Sequence, residues 1–168
     1  MWPTLTTSNP TDWRAAAVLA VRRYCGWHVA PVFEETVTLD GSGQSALILP
    51  TKRLVRLVTV VEDGTELDVS TLEASQTGIV RKPKGPWTRK LGGIEVTMEH
   101  GYEEYDDLVA VVDTVAARAR ATGAGVVQQG AGPFSVRRGT GADGGVLSVP
   151  LLQSEKDLLQ PYRLTWGV

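Results

Sequence analysis

From Pro31 to Tyr102 the chain breaks into short runs of Val, Thr, Leu and Ile, each closed by turn residues. Such a stretch can be folded only as a sheet of many short strands. Phe33–Leu39 and Ala46–Leu49 flank Asp40-Gly41-Ser42-Gly43, whose glycines tolerate the positive φ of a hairpin loop. Leu54–Val61 and Glu66–Val69 flank Glu62-Asp63-Gly64-Thr65, where Asp-Gly is a strong hairpin signal. Gly78–Arg81 and Ile94–Glu99 follow, separated by the loop Lys82 to Gly93. About six short strands result, hence an antiparallel sheet or small sandwich over about 32–102.

Helical patterns lie on either side. Asn9 is placed to cap a helix over about 10–25 with Pro10 at its first position and Asp12 near the exposed amides. Trp13, Ala17, Val21 and Tyr24 follow at helical spacing, and Gly26 stops the helix. A second helix is expected from about Tyr105 to Thr122, with Asp106 and Asp107 at the positive end of its dipole. Its Leu108, Val109, Val111, Val112, Val115, Ala116, Ala117 and Ala119 spread beyond the single apolar stripe of a one-sided surface helix, so neighbours are expected to enclose it. Next comes the Gly-rich stretch Gly123 to Gly145, read as a loop with at most one strand, at Pro133–Arg138. A short helix over Ser154–Gln160, capped by Ser154, precedes Pro161 and the final residues.

The 168 residues, 42% of them hydrophobic, suffice for one ordinary core. Lys and Arg number 17 against 19 Asp and Glu, a formal net charge of −2, so no global basic field draws the chain to nucleic acid. The single Cys25 cannot form an internal disulfide, which fits a reducing compartment. Met1 to Ser8 carry neither the positive charge nor the apolar stretch of a signal peptide, and no apolar run reaches the roughly 20 residues of a membrane span. A protein made in a reducing cytoplasm and soluble where it is made, with no membrane partner, is expected.

The candidate chemistry is sparse. Cys25-Gly26-Trp27-His28 places the only Cys beside one of two His, the elements of a thiol–imidazole pair or half a zinc site. Zinc needs four ligands, or three and a water, and beyond His100 no Cys or His remains to complete such a set. The segment is therefore read as a helix-end turn, with Cys25 packed as a small apolar group and Trp27 as an anchor. The acids after His100, Glu103 to Asp107, are read as favouring a helix N-terminus rather than as a cation site or a catalytic pair. The Gly-rich stretches lack the Gly-Lys-Ser/Thr of a phosphate loop, and no nucleophile elbow is present. No catalytic residue, metal or cofactor is expected. One local charge feature stands out: Arg81, Lys82, Lys84, Arg89 and Lys90 surround Trp87. They suit an acidic partner or nucleic acid with Trp87 stacking on a base, or else a solvated loop whose Trp87 tucks back on the sheet.

Tyr24-Cys25-Gly26-Trp27-His28-Val29-Ala30-Pro31, followed by Glu35-Thr36-Val37-Thr38-Leu39-Asp40-Gly41, resembles head-to-tail adaptor (connector) proteins of long-tailed bacteriophages infecting actinobacteria. Leu47-Ile48-Leu49-Pro50, Val58 to Gly64, and Ile94 to Tyr102 before a long apolar helix continue the resemblance in content and order, over roughly residues 12–138. The resemblance implies a structural virion subunit at the head–tail junction. It would form a ring, commonly dodecameric, between the portal vertex and the next neck or tail-completion protein, around the channel through which the genome passes. It also implies a helical core with an inserted β element, in keeping with an α+β class.

The expected organisation is an N-terminal arm (1–9), an adaptor domain (10–138) and a Gly-rich loop with a C-terminal docking arm (139–168). Leu158, Leu159, Tyr162, Leu164 and Trp166 are too apolar for a free tail and are expected to dock on the portal. Leu108, Val111, Val112 and Val115 are expected at the contact between ring subunits. Contact with the genome should be transient and unspecific, with the cations of 81–90 facing outward or toward a protein partner. The rival reading is a small β-rich ligand- or nucleic-acid-binding module that uses the basic loop 81–90.

Overall fold

The computed structural model describes residues 12–122, 128–131, 134–137 and 149–165, with 128–131 and 134–137 described by their backbone. In chain order they form α1 (Trp13–Cys25), β1 (Phe33–Leu39), β2 (Ala46–Ile48), β3 (Leu54–Glu62) and β4 (Thr65–Leu67). A 3-10 turn (Val69–Thr71), β5 (Glu73–Ala74), β6 (Ile79–Arg81) and β7 (Ile94–His100) follow. The remainder is α2 (Asp106–Thr122), β8 (Gln128–Ala131), β9 (Phe134–Arg137), α3 (Gln153–Leu159) and a last 3-10 turn (Gln160–Tyr162). The class is α+β, as the sequence predicts. The chain divides into a helical unit, residues 1–24 and 106–160, and a β unit, residues 25–105 and 161–168.

In the helical unit α1 begins later than expected. Asp12 itself is the cap: its Oδ1 accepts the Ala15 amide at 2.9 Å, and its carbonyl accepts the Ala16 amide at 3.2 Å. An Asp three residues before an unsatisfied amide reaches it directly, and the expected cap Asn9 and Pro10 lie outside the described residues. Ala17 and Val21 are buried on one face of α1, while Arg14 pairs with Asp113 of α2 at 2.8 Å. The buried side chains of α2 are Leu108, Val111, Val112, Val115 and Ala116, which fall on a single stripe at helical spacing. Before α3, Ser154 is not the cap. Leu152 occupies that position, and its amide donates to Glu155 Oε2 at 2.8 Å, because a carboxylate one turn into the helix can reach back to the exposed N–H. β8 and β9 pair antiparallel, Gln128 opposite Arg137, so the Gly-rich segment contains two strands where one at most was expected. Glycine content conceals strands because it removes the side-chain alternation that marks them.

In the β unit two antiparallel sheets share one core: β1-β7-β3-β4 and β2-β6-β5. Leu47, Leu49 and Val80 from the second sheet meet Leu54, Val60, Ile94, Val96 and Met98 from the first, with Trp87 filling the space among them. The Glu62-Asp63-Gly64-Thr65 turn is the expected hairpin. Glu62 pairs with Thr65, and both central residues hold positive φ, 51° and 82°, whose twist matches that of the strands. The loop at Asp40–Gly43 is not a hairpin: β1 pairs with β7, and β2 with β6. Gly41 and Gly43 instead donate their amides to Lys90 O and Thr88 O at 2.9 and 3.0 Å. A Cβ on Gly41 would stand 2.1 Å from Thr88 O, so Gly41 permits backbone to approach backbone, while Gly43 holds the positive φ, 68°, that the sequence suggests.

Candidate functional site

The core-facing side of β7 carries Ile94, Val96 and Met98, and the next residue on that side is His100, equally buried. β1 lies beside it in register, Phe33 opposite His100 and Glu35 opposite Met98, so Phe33, Glu35 and His100 share one face at the end of the apolar row. His100 Nε2 lies 3.0 Å from Glu35 Oε2. The segment after α1 brings Trp27 and His28 to the same place. The Trp27 ring stacks on His100 with centroids 5.9 Å apart, and His28 meets His100 edge to face at 4.3 Å. Phe33 closes on His28 at 4.3 Å. Gly101 is required where these strands end. Its φ is 124°, and a Cβ there would press against Pro31 O and His28 Nε2 at 2.6 and 2.7 Å.

Burial holds the His100 imidazole below its ordinary pKa, and the Glu35 carboxylate only partly offsets this. The Cys25 thiol is fully buried, and burial raises its pKa to about 11, so it stays protonated and packs as the small apolar group the sequence suggests. The two histidines, singled out separately in the sequence, therefore stand together, and Glu35 joins them unannounced. Nothing local signals this, because Glu35 and His100 are 65 residues apart and meet only through the β1–β7 register.

The basic loop is divided in its roles. Trp87 is 1% exposed and its Nε1–H donates to Val80 O at 3.3 Å, so no ring face is presented for base stacking. Lys82 sits 4.9 Å above that ring and pairs with Glu62 at 2.6 Å, both side chains 13% exposed. Glu62 also accepts the Thr88 amide at 2.7 Å, which fixes the loop to the end of β3. Arg81, Lys84, Arg89 and Lys90 remain exposed. The loop has the tucked-back arrangement, with four cations on its surface.

Of the expected docking residues, Leu158 is 63% exposed and Leu159 is fully buried in the helical unit. The last described residues fold onto the β unit: Tyr162 O accepts Trp27 Nε1–H at 2.7 Å, the Leu164 amide donates to Cys25 O at 2.8 Å, and Pro161 O accepts Lys52 Nζ at 2.7 Å. Tyr162 meets Tyr102 edge to face at 5.1 Å, Leu164 is buried, and Trp166 lies outside the described residues. Leu108, Val111, Val112 and Val115, expected between subunits, are buried within the single chain.

Among solved structures, a chain from the neck of a native gene transfer agent (GTA) particle, computed with C12 symmetry, superposes with a TM-score of 0.59 at 12% identity. The match covers 93% of this chain and 82% of that one. The chain shares their fold with virus-like neck proteins. A second match, from the neck of an empty GTA particle computed with C6 symmetry, has a TM-score of 0.56 at 13% identity and covers 93% and 78% of the two chains. No protein-family profile and no curated protein matches the sequence. Among the described residues, no helix is long and apolar enough to cross a membrane.

Proposed function

We propose that this chain is a structural virion subunit, a head-to-tail adaptor that assembles into a ring between the portal vertex and the next neck or tail-completion protein and surrounds the genome channel. The observation that carries this reading is the likeness to neck chains over nearly the whole length of this one, 93%, in assemblies of C12 and C6 symmetry. The resemblance in sequence to phage adaptors points the same way. A structural, non-enzymatic role is supported by the state of the side chains that carry chemistry: Cys25 is a buried thiol, and His100 is enclosed by rings. Ring contacts on α2 are proposed for the flank beside its buried stripe, where Ala110 and Ala117 are exposed. The portal contact is proposed for Leu158 together with the end of the chain. Passing DNA would meet the ring without specific clamps, because Lys and Arg number 17 against 19 Asp and Glu and the overall charge is −2.

Electron microscopy of the purified protein, alone and mixed with its cognate portal, tests this reading. Closed rings seated on the portal vertex are expected. A monomer that never joins the portal, or salt-dependent DNA binding through Arg81, Lys84, Arg89 and Lys90 without any ring, would replace it with the binding-module reading.

A further inference from the structure

We propose that His28, Glu35 and His100 form a binding site for a divalent transition-metal ion of the zinc type. One ligand atom from each of the three residues lies within 4.8 Å of the other two. His100 Nε2 and Glu35 Oε2 are 3.0 Å apart. Two ligands on a tetrahedral zinc, each bonded at about 2.0–2.1 Å, stand about 3.3 Å apart, so this pair already has nearly the spacing that the ion requires. Two imidazoles and one carboxylate are a donor set suited to zinc and its neighbours, and not to calcium or magnesium, which take oxygen ligands.

The surroundings are those of a built site. His28 Nε2 stands 3.0 Å from Pro31 O, and a carbonyl can only accept, so Nε2 carries the proton and Nδ1 holds the lone pair. A ligating histidine is commonly oriented in this way, with its other ring nitrogen donating to a backbone carbonyl. His100 is 1% exposed, and its Nδ1 has no hydrogen-bond partner among the described residues. The nitrogen that faces the Glu35 carboxylate is Nε2, so Nε2 is the atom that would bind the ion, with the ring proton on Nδ1. Trp27 and Phe33 stack against the His100 ring at 5.9 and 5.6 Å and keep bulk water from one side. The Glu35 side chain, 41% exposed, leaves the other side open for an ion to enter.

The three ligands come from the segment after α1, from β1 and from β7, so the ion would tie that segment to the sheet edge. The fourth position is left for water or for a group from a partner. The site departs from the sequence expectation that no metal binds, which weighed Cys and His for zinc and only the acids after His100 for a cation, and therefore passed over Glu35. It does not depend on the adaptor reading, since it rests on one chain.

The test uses the full chain without a histidine tag. Zinc is titrated by calorimetry, and cobalt is followed by its visible absorption, whose intensity reports tetrahedral coordination. The expected result is one saturable site in the micromolar range with a strong cobalt band. His28→Gln, Glu35→Gln and His100→Gln should each weaken it at least about tenfold, and zinc should raise the melting temperature of the parent but not of the His28→Gln, Glu35→Gln double variant. Should His100→Gln fail to fold, the other two variants carry the test, because those side chains are only partly buried. No saturable uptake, or uptake of undiminished affinity in both His28→Gln and Glu35→Gln, overturns the proposal.

Discussion

Arg118 of α2 holds Glu155 of α3 through both of its terminal nitrogens, Nη1 to Oε1 and Nη2 to Oε2, and Nη2 also donates to Pro150 O at 2.6 Å. Glu155 is only 7% exposed at its side chain and accepts the Leu152 amide as well, so one carboxylate both starts α3 and fastens it to α2. Truncation by Glu155→Ala removes the acceptor of the Leu152 amide and the carboxylate that Arg118 grips, while Arg118 keeps Pro150 O. The cost should be about 2 kcal/mol, below that of a fully buried pair because Arg118 is 29% exposed. Urea unfolding followed by circular dichroism measures it, and a midpoint unchanged from the parent would show that the pair contributes nothing.

The same carboxylate gives a pH dependence. Burial opposes its ionisation, but the hydrogen bonds from Arg118 and the Leu152 amide outweigh burial and hold its pKa below the usual glutamate value. A carboxylate with a depressed folded pKa stabilises the fold fully above its unfolded pKa, near pH 4, and loses that contribution as the pH falls through the folded value. The unfolding midpoint of the parent should therefore drop more steeply below about pH 4 than that of Glu155→Gln. Parallel slopes for the two proteins would remove Glu155 as the cause.

Two glycines that look alike in the sequence separate sharply in the structure. Gly64 holds φ 82° with nothing within 4 Å of an added Cβ, so Gly64→Ala should cost only the backbone strain, about 1 kcal/mol. Gly41 would drive a Cβ to 2.1 Å from Thr88 O, and Gly41→Ala should cost at least about 3 kcal/mol, because the backbone of one loop or the other must move. Denaturation midpoints of the two variants order them. Equal losses would mean that the close approach of residues 41 and 88 is not held in solution.

This contrast also shows what a single sequence discloses. The β3–β4 hairpin was legible because its signal, Asp63-Gly64 between two apolar runs, is local and its strands are neighbours in the chain. The strand segments and α2 were legible for the same reason. The pairing of β1 with β7 was not, since Thr36 and Thr97 meet across 61 residues and turn residues at Asp40–Gly43 suggest a nearer partner. The His28–Glu35–His100 cluster was hidden with it: each residue is plain in the sequence, but only that register gathers them. Trp87 was legible as one of two alternatives, and burial decides between them.

Trp87 is the largest fully buried side chain of the β unit, lying among residues of both its sheets. Trp87→Ala should therefore lower stability by about 4 kcal/mol, whereas Lys84→Ala and Arg89→Ala, which change exposed side chains, should stay within about 0.5 kcal/mol of the parent. Should Trp87→Ala unfold at the parent midpoint while losing affinity for single-stranded DNA, the loop is a nucleic-acid surface and the Trp a stacking platform.

Two leucines near the end of the chain distinguish docking from folding. Leu158 is 63% exposed on α3, a large apolar group with no cover, while Leu164 is buried and its amide is held by Cys25 O. A charge at position 158 meets water and should leave the unfolding midpoint within about 0.5 kcal/mol of the parent. A charge at position 164 is forced into an apolar setting and should cost at least about 2 kcal/mol. If Leu158 contacts the portal, Leu158→Asp should form a folded protein that no longer sediments with portal particles. Leu164→Asp should instead lose attachment only in proportion to its unfolded fraction, recovering it at low temperature. Deletion of residues 161–168 combines the two effects, since it removes the Tyr162 and Leu164 contacts to Trp27 and Cys25 together with any outward-facing group. Its loss of attachment alone would therefore not locate the docking surface. Normal attachment by folded Leu158→Asp would take α3 out of the interface and leave the portal contact to other parts of the chain.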